Sequence, residues 1–382
     1  MFQPSPPLRA AMLLAGLLGA IPPATAADPP APVVIADVVE LSGGGASNGQ
    51  NWRQGLELAT AEINAAGGLL GHPVQLSHYD TQTNPTVSRA MIQKAIDEHP
   101  LAIMGPIYSG SVKVDLPLTR QAEIPQFVGA QAADITASDD PYVFRAIISQ
   151  ARGMERIADY MRDTLHARRV AVVWVNNAFG RGGRDALAAA LQSRGITLAV
   201  DRSIEYGTLG FAADITALRH AHADVVFPYM TAEDTARFVK AYRAAALSAP
   251  LVGETTLLQQ DVLDLVGSAL DGARAHLALT AAAPGVAMAG FRDRFAARFH
   301  HLPDHEAIAS YSALFAVKAV AERVGRLDAK ALAAALHGAS ITVAEQPGIL
   351  FDSRWDAHGD LQRESFLGEA VNGAVTVVQT FR

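Results

Sequence analysis

The amino-acid sequence predicts an α/β protein built as two doubly wound lobes. Three observations carry that expectation. Short β-rich runs alternate with helical periodicity along most of the chain, and the alternation starts again near Ala151. The run at 170–175 is apolar throughout, which is the pattern of a strand covered on both faces. Polar segments rich in glycine, serine or asparagine fall directly after strands, where open parallel sheets place their ligand sites.

In order, 33–39 reads as a strand. A helix follows over 53–64, with Leu56, Ala59 and Ile63 on one face and Gly67-Gly68 as its stop. Residues 74–79 form a second strand and 87–97 a helix. The runs 101–104, 126–128 and 142–146 are short strands, the first two separated by a helical stretch. In the second block, Met154, Ile157, Ala158, Met161 and Leu165 mark one helix face. Strand 170–175, helix 184–194, strand 196–204, helix 211–220, strand 224–229, helix 233–246, strand 250–253, helix 261–267 and strand 275–279 complete it. A long helix over 306–324 precedes a short one over 330–336. The tail, 363–370 and 374–381, reads as a hairpin around Asn372-Gly373. The junction near 146–152 is short, which favours a tight hinge over loosely tethered domains.

Composition limits the function. The chain has 382 residues, 50% of them hydrophobic and 18% charged, enough to bury a large core. A net charge of −7 argues against a nucleic-acid-binding face. The absence of cysteine removes disulfides, thiolate metal sites, cysteine nucleophiles and the anchor of a bacterial lipoprotein together. At the N-terminus Arg9 precedes an apolar run over 10–21, then Ala24-Thr25-Ala26. That run would make about 18 Å of helix, too short for a bilayer core of about 30 Å. The expectation is a signal peptide over 1–26 cut after Ala26, then a soluble exported chain suited to the periplasm, with no membrane insertion after cleavage.

Four segments invite chemistry. The first, Ser42 to Gly49, has Gly43, Gly45 and Gly49 in a weak variant of the dinucleotide fingerprint, with Asp80 ending the next strand; a ligand-cleft loop is the better reading. In the second, Tyr108-Ser109-Gly110-Ser111, a helix start with serine hydroxyls could grip a carboxylate, although Asp115 could instead cap a helix beginning near Leu116, ahead of Pro117. The third, Asn176-Asn177-Ala178-Phe179, holds the matching place in the second block. The fourth, His300-His301 with Asp304, His305 and Glu306, fits no usual metal-ligand spacing and reads as a solvated helix connection. No nucleophile elbow or phosphate-binding loop occurs, so neither a catalytic set, a metal nor a cofactor is expected.

Taken together, the segments 35–49, 55–68, Gly71 to Val74, Asp80, 105–111, Ile124-Pro125, 141–145 and Phe179-Gly180 resemble the periplasmic solute-binding proteins of the branched-chain amino acid (Leu/Ile/Val) type, receptors of ABC importers. The resemblance implies a type I periplasmic binding fold, two lobes joined by a three-segment hinge with crossings near 146–151, 276–281 and 347–352. Lobe one would be 28–148 plus 279–349, and lobe two 149–278 plus 350–382. It also implies a monomer that carries a small-molecule ligand to ABC permease subunits without transforming it; a ligand-sensing subunit that serves a signalling partner, and after it a secreted Rossmann-type enzyme, are the alternatives. By the same resemblance Ser109, with Gly110 and Ser111, would hold the ligand carboxylate. Ala130 and Gln131 would occupy a second loop, Asn48 and Phe179 would stand where the family has aromatics, and Glu254 would balance an ammonium group. An aromatic of the family falls near Glu306. The retained donors and altered acceptors lead us to expect a small carboxylate- or amide-bearing metabolite, a branched-chain amino acid being one candidate.

Overall fold

The computed structural model describes residues 1–5 and 30–382. Met1–Pro30 is a unit apart from Ala31–Arg382. Beyond the first five residues, the leader expected over 1–26 lies outside the described residues.

The first lobe forms from β1 (Val33–Val39), α1 (Ala46–Ala65), β2 (Val74–Asp80), α2 (Pro85–Ile96), β3 (Ala102–Met104), α3 (Ser109–Ala122), β4 (Gln126–Val128) and β5 (Val143–Arg145). All five strands run parallel in the order β2-β1-β3-β4-β5. Parallel neighbours need crossover helices, and these cover both faces. The inner strands are accordingly buried along nearly their whole length.

Two boundaries differ from the sequence expectation. Helix α1 begins at Ala46 rather than at 53, directly from a 3-10 turn over Gly43–Gly45. Asn48 and Gly49 are poor helix formers, but here close packing outweighs propensity. A Cβ on Gly49 would stand 1.9 Å from the Glu40 carbonyl oxygen, so only glycine lets the helix lie this close to the end of β1. Helix α3 runs from Ser109 straight through Pro117, so no second helix starts near Leu116. Asp115 is not a cap; its Oδ2 accepts from Ser88 Oγ at 2.6 Å on the neighbouring α2.

The second lobe continues with α4 (Gln150–Asp163), β6 (Arg169–Val175), α5 (Ala178–Ser193), β7 (Thr197–Ile204), α6 (Ala212–Ala221), β8 (Val225–Tyr229), α7 (Ala232–Ala244), β9 (Val252–Glu254), α8 (Gln260–Val266) and β10 (Arg274–Leu277). Strands β7-β6-β8 form one parallel set. A bridge between Val226 and Leu251 links it to the set β9-β10. The chain then returns to the first lobe as α9 (Val286–Phe299), α10 (His305–Val324) and α11 (Ala329–Leu336). A small antiparallel sheet of β11 (Ser340–Ile341), β12 (Ser353–Trp355) and β13 (Leu361–Gln362) follows. The expected tail hairpin is β14 (Ser365–Val371) and β15 (Ala374–Phe381), added antiparallel to β10. Its turn residues Asn372 and Gly373 both have positive φ, 52° and 74°, as a two-residue hairpin turn requires.

The chain therefore passes between the lobes three times. The first two passages follow β5 and β10. The third lies beyond the expected 347–352, because β12 and β13 stay with the first lobe. Trp355 packs edge-on against Phe127, and its indole N–H donates to the Arg145 carbonyl at 2.9 Å. Arg145 also pairs with Asp360 at 2.6 Å. The chain enters the second sheet only between Gln362 and Ser365.

Helix α10 is buried over most of its length against α1. The close approach depends on Gly55, where a Cβ would stand 2.3 Å from the Ala307 carbonyl oxygen and 2.2 Å from Ser310 Oγ. Gly55→Ala should push the helices apart and cost about 1–3 kcal/mol by overpacking. Urea unfolding should show a lower midpoint with an unchanged slope. An unchanged midpoint would contradict this packing.

Candidate functional site

Loops at the carboxyl ends of both sheets face one another, and a narrow cleft lies between them. From the first lobe come Asn48 on α1, Tyr108 and Ser109 at the start of α3, and Gln131 after β4. The second lobe contributes Phe179 on α5, Thr231 before α7, and Thr256 and Gln259 after β9. His305 and Glu306 open α10 and form the remaining wall. The cavity between them is about 40 Å³, and a neighbouring one of about 350 Å³ shares Gln259 and His305 with it. At the rim the lobes touch directly, Ser47 Oγ donating to Asp261 Oδ2 at 2.6 Å.

One end of the cleft is built to donate. Ser109 is the first residue of α3, so the N–H groups of Ser109, Gly110 and Ser111 have no acceptor within the helix. Ser109 Oγ accepts from the Ala132 N–H at 3.3 Å, which leaves the hydroxyl proton available. The surrounding loops are held by buried polar side chains. Glu40 accepts from the N–H groups of Ile107 and Tyr108 at 3.1 and 3.3 Å. Fully buried Arg145 donates to the carbonyls of Ala130 and Ala132 at 2.8 and 2.7 Å. These bonds fix where a small anion could be gripped.

The other end is built to accept. Glu306 is 4% exposed. Its Oε1 lies 3.2 Å from His305 Nε2, and among the described residues its Oε2 has no hydrogen-bond partner. A buried carboxylate oxygen left bare is costly, which makes it a place for a ligand donor. Asp304 caps α10 by accepting from the N–H groups of Glu306 and Ala307 at 2.8 and 2.9 Å. Burial disfavours charge on His305, but Glu306, then Asp304 and Glu254, outweigh it and raise its pKa to about 9. Burial raises Asp304 to about 7 and Glu40 to about 8. The cleft thus holds an imidazolium at neutral pH, among acids of which burial keeps some largely protonated.

Of the residues expected from the sequence, Asn48, Ser109, Gln131 and Phe179 line the cavity. Gly110 and Ser111 stand behind Ser109 in the first turn of α3, and Ala130 serves the loop through its carbonyl. Glu254 is not among the residues that line the cavity. Its Oε1 pairs with His276 Nδ1 at 2.5 Å and its Oε2 accepts from the Thr255 N–H at 2.7 Å, so both oxygens are engaged within the second lobe. Asn176 and Asn177 are likewise occupied: Asn177 caps α5 through Gly180, and Asn176 bonds Glu205 and Arg181. Asp80 accepts from Leu41, Ser42 and Gln82, so its carboxylate braces the glycine loop and is not free for a ribose.

The solvated-loop reading of His305 and Glu306 is overturned. His300 and His301 are exposed, but His305 and Glu306 are 5% and 4% exposed and form a wall of the cleft. The signal that could have found them is the capping pattern Asp304-His305-Glu306 before a long apolar helix, which starts α10 at His305. Thr231, Thr256 and Gln259 were also missed. Among the described residues no cluster of histidines and acids suits a metal ion.

Two α/β lobes that meet strand-end to strand-end over a buried polar cleft define a solute-binding protein of the two-lobe class. The chain belongs to the periplasmic binding protein family, whose profile matches residues 32–374. It is accordingly an ABC-transporter-type solute-binding protein of a family that binds rather than catalyses. It is 26% identical over 339 residues to a Leu/Ile/Val-binding protein of Rhizobium johnstonii, covering 88% of this chain and 90% of that one. To a Leu/Ile/Val-binding protein homologue of Brucella melitensis it is 29% identical over 198 residues, which is 52% of this chain and only 54% of the relative. Two solved structures share the type I fold. A branched-chain amino acid transporter substrate-binding protein of Streptococcus pneumoniae, in complex with isoleucine, superposes with a TM-score of 0.80 at 19% identity, over 91% of this chain and 99% of that one. A solute-binding protein of R. palustris, in complex with benzoate, gives 0.81 at 23% identity, over 91% and 96%. Among the described residues no helix is long and apolar enough to cross a membrane.

The proton balance of the cleft has one sign. His305 has a raised folded-state pKa, so its contribution to stability is full below its ordinary 6.5 and is lost as pH rises through about 9. Asp304 and Glu40 are also raised, so each favours the folded state less as pH climbs from the ordinary carboxylate range through about 7 and about 8. Thermal unfolding should therefore give a lower Tm at pH 9 than at pH 6. His305→Gln should flatten the part of that slope between pH 6.5 and 9. A Tm that rises across this window would show that the native state does not take up these protons.

Proposed function

We propose that this protein is the extracytoplasmic receptor of an ABC importer, closing its lobes on a small carboxylate-bearing metabolite and presenting it to membrane permease subunits. An amino acid, the branched-chain ones first, is the leading ligand. One observation carries this reading: a single cleft sets the unclaimed N–H groups and hydroxyl of Ser109 at one end and the unpartnered Oε2 of buried Glu306 at another. Donors suit a carboxylate and an acceptor suits an ammonium group. In this reading Glu306 takes the role expected of Glu254, because both Glu254 oxygens are already engaged. Ligands named for relatives support it, as does the isoleucine bound by a protein of the same fold.

The lobes would move as hinged bodies, roughly 31–148 plus 279–362 against 149–278 plus 363–382. Export through a cleaved leader to the periplasm, without a lipid anchor, fits the chain's lack of cysteine. A second reading, an aromatic carboxylate, is favoured by Phe179 in the wall, stacked on Tyr229 with centroids 4.4 Å apart, and by the benzoate bound in a similar fold.

A thermal-shift panel of amino acids and benzoates tests both readings. A ligand at 100 times its Kd should add about 2.7 kcal/mol of stability. Ser109→Ala should weaken either class by about 1.5–3 kcal/mol, roughly tenfold to a hundredfold. Glu306→Gln should weaken amino acids comparably and spare benzoates. Strong amino-acid binding unaffected by Glu306→Gln would remove Glu306 from the site.

A further inference from the structure

Behind the hinge, away from the ligand cleft, lies a cavity of about 590 Å³ whose walls come from both lobes. Arg152 and Arg156 project from α4 just after the first passage, and Arg363 stands in the third. Opposite them, Val286 and Ala287 begin α9, whose preceding residue Gly285 supplies no side-chain cap. The first N–H groups of that 14-residue helix are therefore without intrahelical acceptors.

The arginines are short of counter-charge. Arg363 is 7% exposed. One of its nitrogens donates to the Ala146 carbonyl at 3.0 Å, but among the described residues its Nε has no hydrogen-bond partner. Burial alone pulls its pKa down to about 9, with no acid offsetting it. Arg152 Nε is buried and likewise without a hydrogen-bond partner among the described residues. Arg156 bonds Ser365 Oγ and the Arg363 carbonyl and lies over the Phe381 ring; burial and then the charge of Arg152 lower its pKa, and only Glu155 opposes them. Asp352, Glu364 and the C-terminal Arg382 also line the cavity, and among the described residues neither acid forms an ion pair with these guanidinium groups. Asp352 instead accepts from the Val343 N–H at 2.8 Å.

Four arginines, Arg152, Arg156, Arg363 and Arg382, and an open helix N-terminus line one concave space, and the Nε atoms of Arg363 and Arg152 are each left idle among the described residues. Such a set recognises planar or tetrahedral oxyanions through paired charge-assisted hydrogen bonds. We infer that this cavity is a second ligand site, separate from the cleft, which takes a small oxyanion of the phosphate or carboxylate class. The inference does not depend on the identity of the cleft ligand.

The test is calorimetry and thermal unfolding of the purified protein with inorganic phosphate and, separately, citrate, against sodium chloride at matched ionic strength. Phosphate, citrate or both should raise Tm saturably beyond the chloride control, and which of them does so distinguishes the two anion classes. Arg152→Gln, on a partly exposed side chain, should weaken that anion at least about tenfold, the usual scale for a lost charged hydrogen bond. Arg363→Met should abolish the response while keeping the stem's packing. Should that variant fold poorly, Arg156→Gln replaces it with the same expected loss. Ser109→Ala should leave the anion response intact, which separates this site from the cleft. A response to neither anion above chloride, or one unchanged in both Arg152→Gln and Arg156→Gln, would overturn the inference.

Discussion

Parallel strand pairing is the constraint on which the rest of the molecule depends. A strand that must lie parallel to its neighbour cannot turn back by a hairpin, so the chain crosses over by a helix each time. Every strand then ends at the same edge, and every following helix begins there. In the first lobe this collects the loops after β1, β3 and β4 at one edge. In the second it collects those after β6, β8 and β9. When the two edges face one another, helix N-termini and polar loops converge on one space without any residue having been adjacent in sequence. The cleft follows from topology before any side chain is considered.

Side chains then decide what the cleft prefers. The first lobe supplies donors, held in place by Glu40 and Arg145, which are themselves buried and spent on backbone groups. The acceptor comes from α10, far along the chain, and reaches the cleft only because α10 lies close along α1 at Gly55. A buried carboxylate is tolerable here because His305 stands beside it as a cation and Asp304 anchors the same helix turn. The remaining bare oxygen is a local deficit that a bound donor would relieve. The second lobe shows the opposite solution. Glu254, His276 and Ser365 form one hydrogen-bonded chain, with bonds of 2.5 and 2.6 Å, that runs on to Arg156, and the Thr255 N–H takes the second Glu254 oxygen, so neither carboxylate oxygen is left over for a guest. The same contrast marks the hinge, where Arg145 is paired by Asp360 while Arg363 is not.

Much of the architecture was legible in the sequence because periodicity reports local burial. The two blocks of alternating strand and helix, the stop at Gly67-Gly68 and the turn at Asn372-Gly373 all reflect constraints acting within a few residues. Helix starts were less legible. Gly49 and Pro117 argue against helix on propensity, yet both lie inside one, since the packing of α1 on the end of β1 and of α3 on α2 outweighs the local cost. The late third passage escaped notice for a similar reason: Trp355 and Asp360 bind 353–361 to the first lobe through partners about two hundred residues away.

The sequence by itself determined the α/β class, the two-block order and the strand-end loop that carries Ser109, because each depends on neighbours along the chain. Only the tertiary structure decided that Glu306 rather than Glu254 lines the cleft, that Asn176 and Asn177 are consumed as local braces, and that four arginines line one cavity between the lobes. Those outcomes depend on which partners arrive from distant segments, and charge satisfaction is settled by distance in space, not by spacing in sequence.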